Sequence, residues 1–156
     1  MDKVTAVQVM TREVLSVGPD WPVDRLVEFL TDHSIWGAPV VSEEGAPIGV
    51  ASLTDVARSG ALAERSLSEV PTYYGQGLER TVRQEELAGL RVHVESQTMV
   101  RDIMTRVVFS VDEDATVQEV AEAMITGRIH RVLVTREGKM VGIISALDLL
   151  PLVRNG

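Results

Sequence analysis

A mixed α/β (α+β) chain, made of two copies of one β-α-β-β-α unit packed as a pseudo-twofold pair, is the fold class this sequence predicts. Three observations carry that expectation. The 156 residues are 45% hydrophobic and 24% charged but only 4% aromatic, so the core is aliphatic with the β-branched share that sheets favour. At this length a folded chain withdraws roughly 70% of its unfolded surface from water, enough for a core without metal or disulfide support. The third observation is that the chain repeats itself.

Met10-Thr11-Arg12 recurs as Met104-Thr105-Arg106, and the same offset of 94 relates Ser16 to Ser110, Asp20 to Asp114, Glu28 to Glu122 and Val40 to Val134. One deletion later the offset is 93, and it relates Gly45 to Gly138, Gly49 to Gly142, Ser52 to Ser145 and Asp55 to Asp148. Repeated units of this kind bury their apolar faces on one another. The first repeat is assigned to residues 1–60, an inserted connecting segment to 61–97 and the second repeat to 98–156.

Each unit opens on a short β-type run, Val14 to Val17 or Val107 to Val111, that closes on a Pro-containing or acidic turn. A helix follows. In the second unit Thr116 and Glu119 form a capping box, and Val117, Val120, Ala121 and Met124 make one apolar stripe. In the first, Pro22 is expected at N1 and Val23, Leu26, Val27 and Leu30 repeat the stripe. Two strands around a tight turn come next: Ala38 to Ser42 and Ile48 to Ala51 around Glu44-Gly45, then Arg131 to Thr135 and Val141 to Ile144 around Glu137-Gly138. A last helix begins at Ser52 or Ser145. In the insertion, Pro71 to Gly77 is turn-forming and Leu78 to Leu90 is rich in helix formers, which suits a cover for exposed core edge, a lid or a dimerisation element.

The composition also excludes function classes. A net charge of −8 with no long basic run disfavours duplex nucleic acid and anionic membranes, and the lack of cysteine removes disulfides and thiolate chemistry. No apolar h-region or 18-residue apolar stretch occurs, so a soluble, cytoplasmic protein is expected. His33, His93 and His130 lack metal-ligand spacing, and no P-loop, nucleophile elbow or complete dinucleotide fingerprint is present. Neither a metal site nor an enzyme is expected. Met10 and Met104 are assigned to the core.

The string Asp102-Ile103-Met104-Thr105, the capped helix, Ile129-His130-Arg131-Val132-Leu133-Val134 and Gly142-Ile143-Ile144-Ser145-Ala146-Leu147-Asp148 together resemble the cystathionine β-synthase (CBS) domain. The first repeat resembles a second copy through Val9-Met10-Thr11, Ala38-Pro39-Val40-Val41 and Gly49-Val50-Ala51-Ser52-Leu53-Thr54-Asp55. The resemblance implies a tandem pair, the Bateman module, whose two clefts often hold adenosine-containing ligands. Such modules sense ligands and do not catalyse.

The candidate sites have two readings each. Ser52 with Asp55, and Ser145 with Asp148, can cap the last helices, the carboxylate favouring the positive helix end. Alternatively the carboxylate accepts two ribose hydroxyls, the role the resemblance implies. His130 and Arg131 are either a solvated pair or a phosphate contact, as similar pairs are in the γ subunit of AMP-activated protein kinase, and a guanidinium fork suits phosphate. The first repeat has Trp36-Gly37 there instead, so its cleft lacks the cation, and Trp36 either packs or stacks on adenine.

The expected function is therefore a regulatory module with no required cofactor, taking AMP, ADP, ATP or S-adenosylmethionine, forming a homodimer and reporting to a protein partner. The rival is a ligand-free interaction or oligomerisation module.

Overall fold

The computed structural model describes residues 3–60 and 98–155. The inserted segment, with its expected helix over Leu78 to Leu90, lies outside the described residues. In the first repeat α1 is Ala6–Val9, α2 Val23–Asp32, β1 Gly37–Val41, β2 Pro47–Ser52 and α3 Leu53–Gly60. In the second, α4 is Val100–Ile103, β3 Ser110–Asp112, α5 Val117–Gly127, β4 Arg131–Arg136, β5 Lys139–Ser145 and α6 Ala146–Asn155. Among the described residues no helix is long and apolar enough to cross a membrane.

β1 and β2 pair antiparallel, with Gly37 opposite Ser52. β4 and β5 do the same with Arg131 opposite Ser145, and β3 runs parallel to β4. The opening strand expected over Val14 to Val17 is reduced to one parallel bridge, Val17 to Val40. The reason is chemical. In the second repeat the ladder opens with the Leu133 amide donating to the Phe109 carbonyl and closes with the Glu113 amide donating to the Thr135 carbonyl, both at 2.9 Å. The residues at the matching places are Pro39 and Pro19, neither of which has an N–H to donate.

Helices α2, α3 and α6 start slightly later than their sequence patterns predict. Pro22 is the N-cap of α2 and not its N1 residue, because its ψ of 147° is still extended. Ser52 and Ser145 end their strands, and the last helices begin one residue later. The capping box of α5 forms as expected: the Glu119 amide donates to Thr116 Oγ1 at 3.2 Å, and the Thr116 amide to Glu119 Oε2 at 2.8 Å. Val23, Leu26, Leu30, Val120 and Met124 are buried, with Val27, Val117 and Ala121 half-buried beside them.

The leading segments are exchanged between repeats, which the sequence alone does not reveal. The α1 amides of Ala6 and Val7 donate to the carbonyls of Ala115 and Glu113 in the second repeat, at 2.8 and 3.0 Å. Those of Val100 and Arg101 in α4 donate reciprocally to Trp21 and Pro19 of the first, both at 2.9 Å. The orphan donors at each short helix start are thus satisfied by the other repeat.

Just downstream, Thr11 bridges to Ile143 of β5 and Thr105 to Val50 of β2. The two cores follow this exchange. Val100 and Met104 join the first-repeat core of Leu26, Leu30, Val40 and Val56, while Ala6 and Val50 join the second-repeat core of Val120, Leu133 and Ile144. Met104 is buried and Met10 packs half-buried against the second core, as expected of core residues.

Candidate functional site

Both repeats bring their candidate residues together by the same construction. The last helix starts where the second hairpin strand ends, and its first amide donates to the residue preceding the first hairpin strand: Leu53 to the Trp36 carbonyl at 2.9 Å, Ala146 to the His130 carbonyl at 2.8 Å. Strand register then sets Arg131 opposite Ser145. So Ser145, Asp148, His130 and Arg131 gather at one end of the β4–β5 hairpin, and Ser52, Asp55 and Trp36 at the equivalent end of β1–β2.

In the second repeat the Ser145 amide and hydroxyl donate to Asp148 Oδ2 at 2.8 and 3.2 Å. This holds the carboxylate in the first turn of α6, where the helix dipole favours a negative charge. Asp148 and Arg131 are half-buried and His130 is exposed. Among the described residues none donates to Asp148 Oδ1. A carboxylate with one oxygen anchored and the other without such a donor is an acceptor for hydroxyls, and Arg131 on the same hairpin end carries a group suited to an anion.

The first repeat differs. Ser52 and Asp55 are only 3% and 6% exposed. The Ser52 amide and hydroxyl donate to Asp55 Oδ2 at 2.9 and 3.0 Å, and the Asp55 amide returns a bond to Ser52 Oγ at 3.2 Å. Oδ1 is occupied too, by the Thr105 hydroxyl at 3.0 Å, from the exchanged segment that leads into the second repeat. Thr11 occupies the matching place in the first repeat but is exposed and makes no such bond to Asp148. Trp36 is half-buried against the first core, and Gly37 stands where the second repeat has Arg131.

The Thr105 contact, and its absence at Thr11, are features that sequence reasoning passed over. Their signal was present, since each threonine sits in the repeated Met-Thr-Arg string, but its meaning depends on a contact 50 residues away.

Burial pushes the Asp55 carboxyl above the ordinary carboxylate range, and the hydrogen bonds from Thr105 and Ser52 and the charge of Arg58 only partly offset this. A carboxyl raised in the fold holds its proton where the unfolded chain has lost it. Its contribution is therefore full below the unfolded pKa and is lost as pH rises through the folded one. Urea midpoints measured from pH 4 to pH 7 should show a falling component that Asp55→Asn, which cannot titrate, removes. An identical pH profile in that variant would show that Asp55 has no such role.

A family model for the CBS domain matches residues 6–61 and 100–155, covering both repeats. The chain belongs to the CBS domain family. It is a CBS pair, and the matched segments begin at the exchanged helices α1 and α4. The chain is 24% identical to the uncharacterized protein MJ1426 of Methanocaldococcus jannaschii, over 95% of this chain and 90% of that one. Of several other curated relatives it spans 22–63% of the length.

Among solved structures, the CBS domain pair of protein MJ0100 in complex with 5′-methylthioadenosine and S-adenosyl-L-methionine superposes with a TM-score of 0.61 at 21% identity, over 99% of this chain and 98% of that one. CBSX2 in complex with AMP superposes with a TM-score of 0.65 at 20% identity, over 97% of each chain. At these identities the likeness establishes the fold.

Proposed function

We propose that this CBS pair is a non-catalytic regulatory module that senses an adenosine-containing ligand: AMP, ADP, ATP or S-adenosylmethionine. The observation that carries the reading is the half-buried Asp148 carboxylate, anchored through one oxygen by Ser145 at the hairpin end that also carries His130 and Arg131. Its open oxygen suits a ribose diol, and Arg131 suits a phosphate or carboxylate on the same ligand. That CBSX2 is solved with AMP, and the MJ0100 pair with two adenosyl compounds, supports this ligand class.

A second observation favours self-association. Leu147, Leu150 and Val153 are 51%, 57% and 79% exposed along α6, and Ile125 on the neighbouring α5 is 71% exposed. The spacing of three places the α6 residues on one stripe, an apolar face that a second copy would cover. We assign the homodimer to this face.

Native mass spectrometry tests both statements at once, with an AMP-bound dimer as the expected species. In a melting experiment a ligand at about 100 times its dissociation constant adds roughly 2.7 kcal/mol, a rise of about 5 to 10 °C at this size. No rise with AMP, ADP, ATP or S-adenosylmethionine at millimolar concentration would leave the interaction-module reading in its place.

A further inference from the structure

The two Ser-x-x-Asp sites share one construction, yet one of them is already filled. At Asp55 the amide and hydroxyl of Ser52 take Oδ2 and the hydroxyl of Thr105 takes Oδ1 at 3.0 Å. At Asp148 the Ser145 amide and hydroxyl take Oδ2 in the same way, but Thr11 makes no matching bond. The Thr105 hydroxyl thus stands against Asp55 where a ligand hydroxyl would stand against Asp148.

Backbone geometry holds it there. The Val50 amide donates to the Thr105 carbonyl at 2.8 Å and the Thr105 amide to the Val50 carbonyl at 2.9 Å. Asp55 is 6% exposed, so a ligand could reach it only by displacing both the hydroxyl and the segment that carries it.

We propose that Ser52, Asp55 and Thr105 form an internal latch between the repeats, so that the CBS pair takes one adenosyl ligand per chain, at Ser145 and Asp148. The latch keeps a polar group of the first repeat satisfied by the segment that enters the second, and a buried acceptor bonded in this way couples the two. The ligand count rests on the nucleotide reading above. The latch itself does not.

Two measurements separate these parts. In urea denaturation without ligand, Thr105→Val should lower the midpoint by about 0.5 M, the size expected for one lost side-chain hydrogen bond in a small domain. Thr105→Ser, which keeps the hydroxyl, should recover most of that loss. Asp55→Ala should lower the midpoint further, and adding Thr105→Val to it should cost little more, because the bond is already gone. Full additivity, or equal losses for the valine and serine variants, would overturn the latch; the second comparison stands even if Asp55→Ala does not fold.

Titration calorimetry of the intact chain with AMP should give one site per chain, with affinity within twofold of wild type for Thr105→Val. Two sites per chain, or a loss of tenfold or more in Thr105→Val, would place the ligand at Asp55 and overturn the assignment. Absence of any AMP heat would count against the nucleotide reading while the denaturation result still decides the latch.

Discussion

Asp148→Asn is expected to weaken AMP by about 10- to 100-fold while lowering the urea midpoint by no more than about 0.5 M. The asparagine carbonyl can accept from the Ser145 amide as Asp148 Oδ2 does at 2.8 Å, so the helix start keeps its bond and the side chain its size. What changes is the other position, where an NH2 donor replaces the open acceptor Oδ1. A sugar hydroxyl that donated to a carboxylate then meets a donor, and losing a hydrogen bond to a charged group costs about 1.5 to 3 kcal/mol. The helix-dipole interaction is lost as well, but it is worth only about 0.3 to 1 kcal/mol. Calorimetry and urea denaturation on the same variant check the outcome. A lowered midpoint with unchanged affinity would make Asp148 a helix-end acid and remove the ribose assignment.

The equivalent substitution in the first repeat should behave differently, and the contrast shows what the sequence could and could not express. Ser52-x-x-Asp55 and Ser145-x-x-Asp148 look alike in one dimension, and both were legible as helix-start pairs. Their difference lies in Thr105, whose bond to Asp55 spans 50 residues and depends on which repeat the Met-Thr-Arg strings dock against. Local patterns carry local structure well: the Thr116 capping box, the α2 and α5 stripes and the two hairpins follow from spacing and turn chemistry. Exchange of α1 and α4 is set by pairing between distant chain segments, and two repeats built on the same motifs offer each leading helix either partner. The shortened first strand was readable in principle. Pro39 and Pro19 stand where Leu133 and Glu113 donate, and a missing N–H at each end stops the ladder.

Gly49→Ala is expected to cost about 3 kcal/mol, and Gly142→Ala about 1 kcal/mol, although the two glycines hold equivalent places in β2 and β5. A Cβ on Gly49 would lie 2.5 Å from the Thr105 carbonyl oxygen and 3.2 Å from Met104 Sδ. The oxygen belongs to the exchanged segment after α4 and accepts from Val50, so relief requires that segment to retreat from β2. At Gly142 the nearest obstacle is the thioether of Met10, an unbranched side chain able to take another rotamer, with the Thr11 carbonyl oxygen next at 2.9 Å. Met10 is half-buried where Met104 is buried, which gives it somewhere to go. Retreat of the segment in Gly49→Ala also carries the Thr105 hydroxyl away from Asp55, so the buried carboxyl loses a donor and the penalty compounds. Urea denaturation of the two variants side by side decides the matter. Equal midpoints, or a larger loss for Gly142→Ala, would mean that the Thr105 segment does not press on β2 as closely as its bonds to Val50 require.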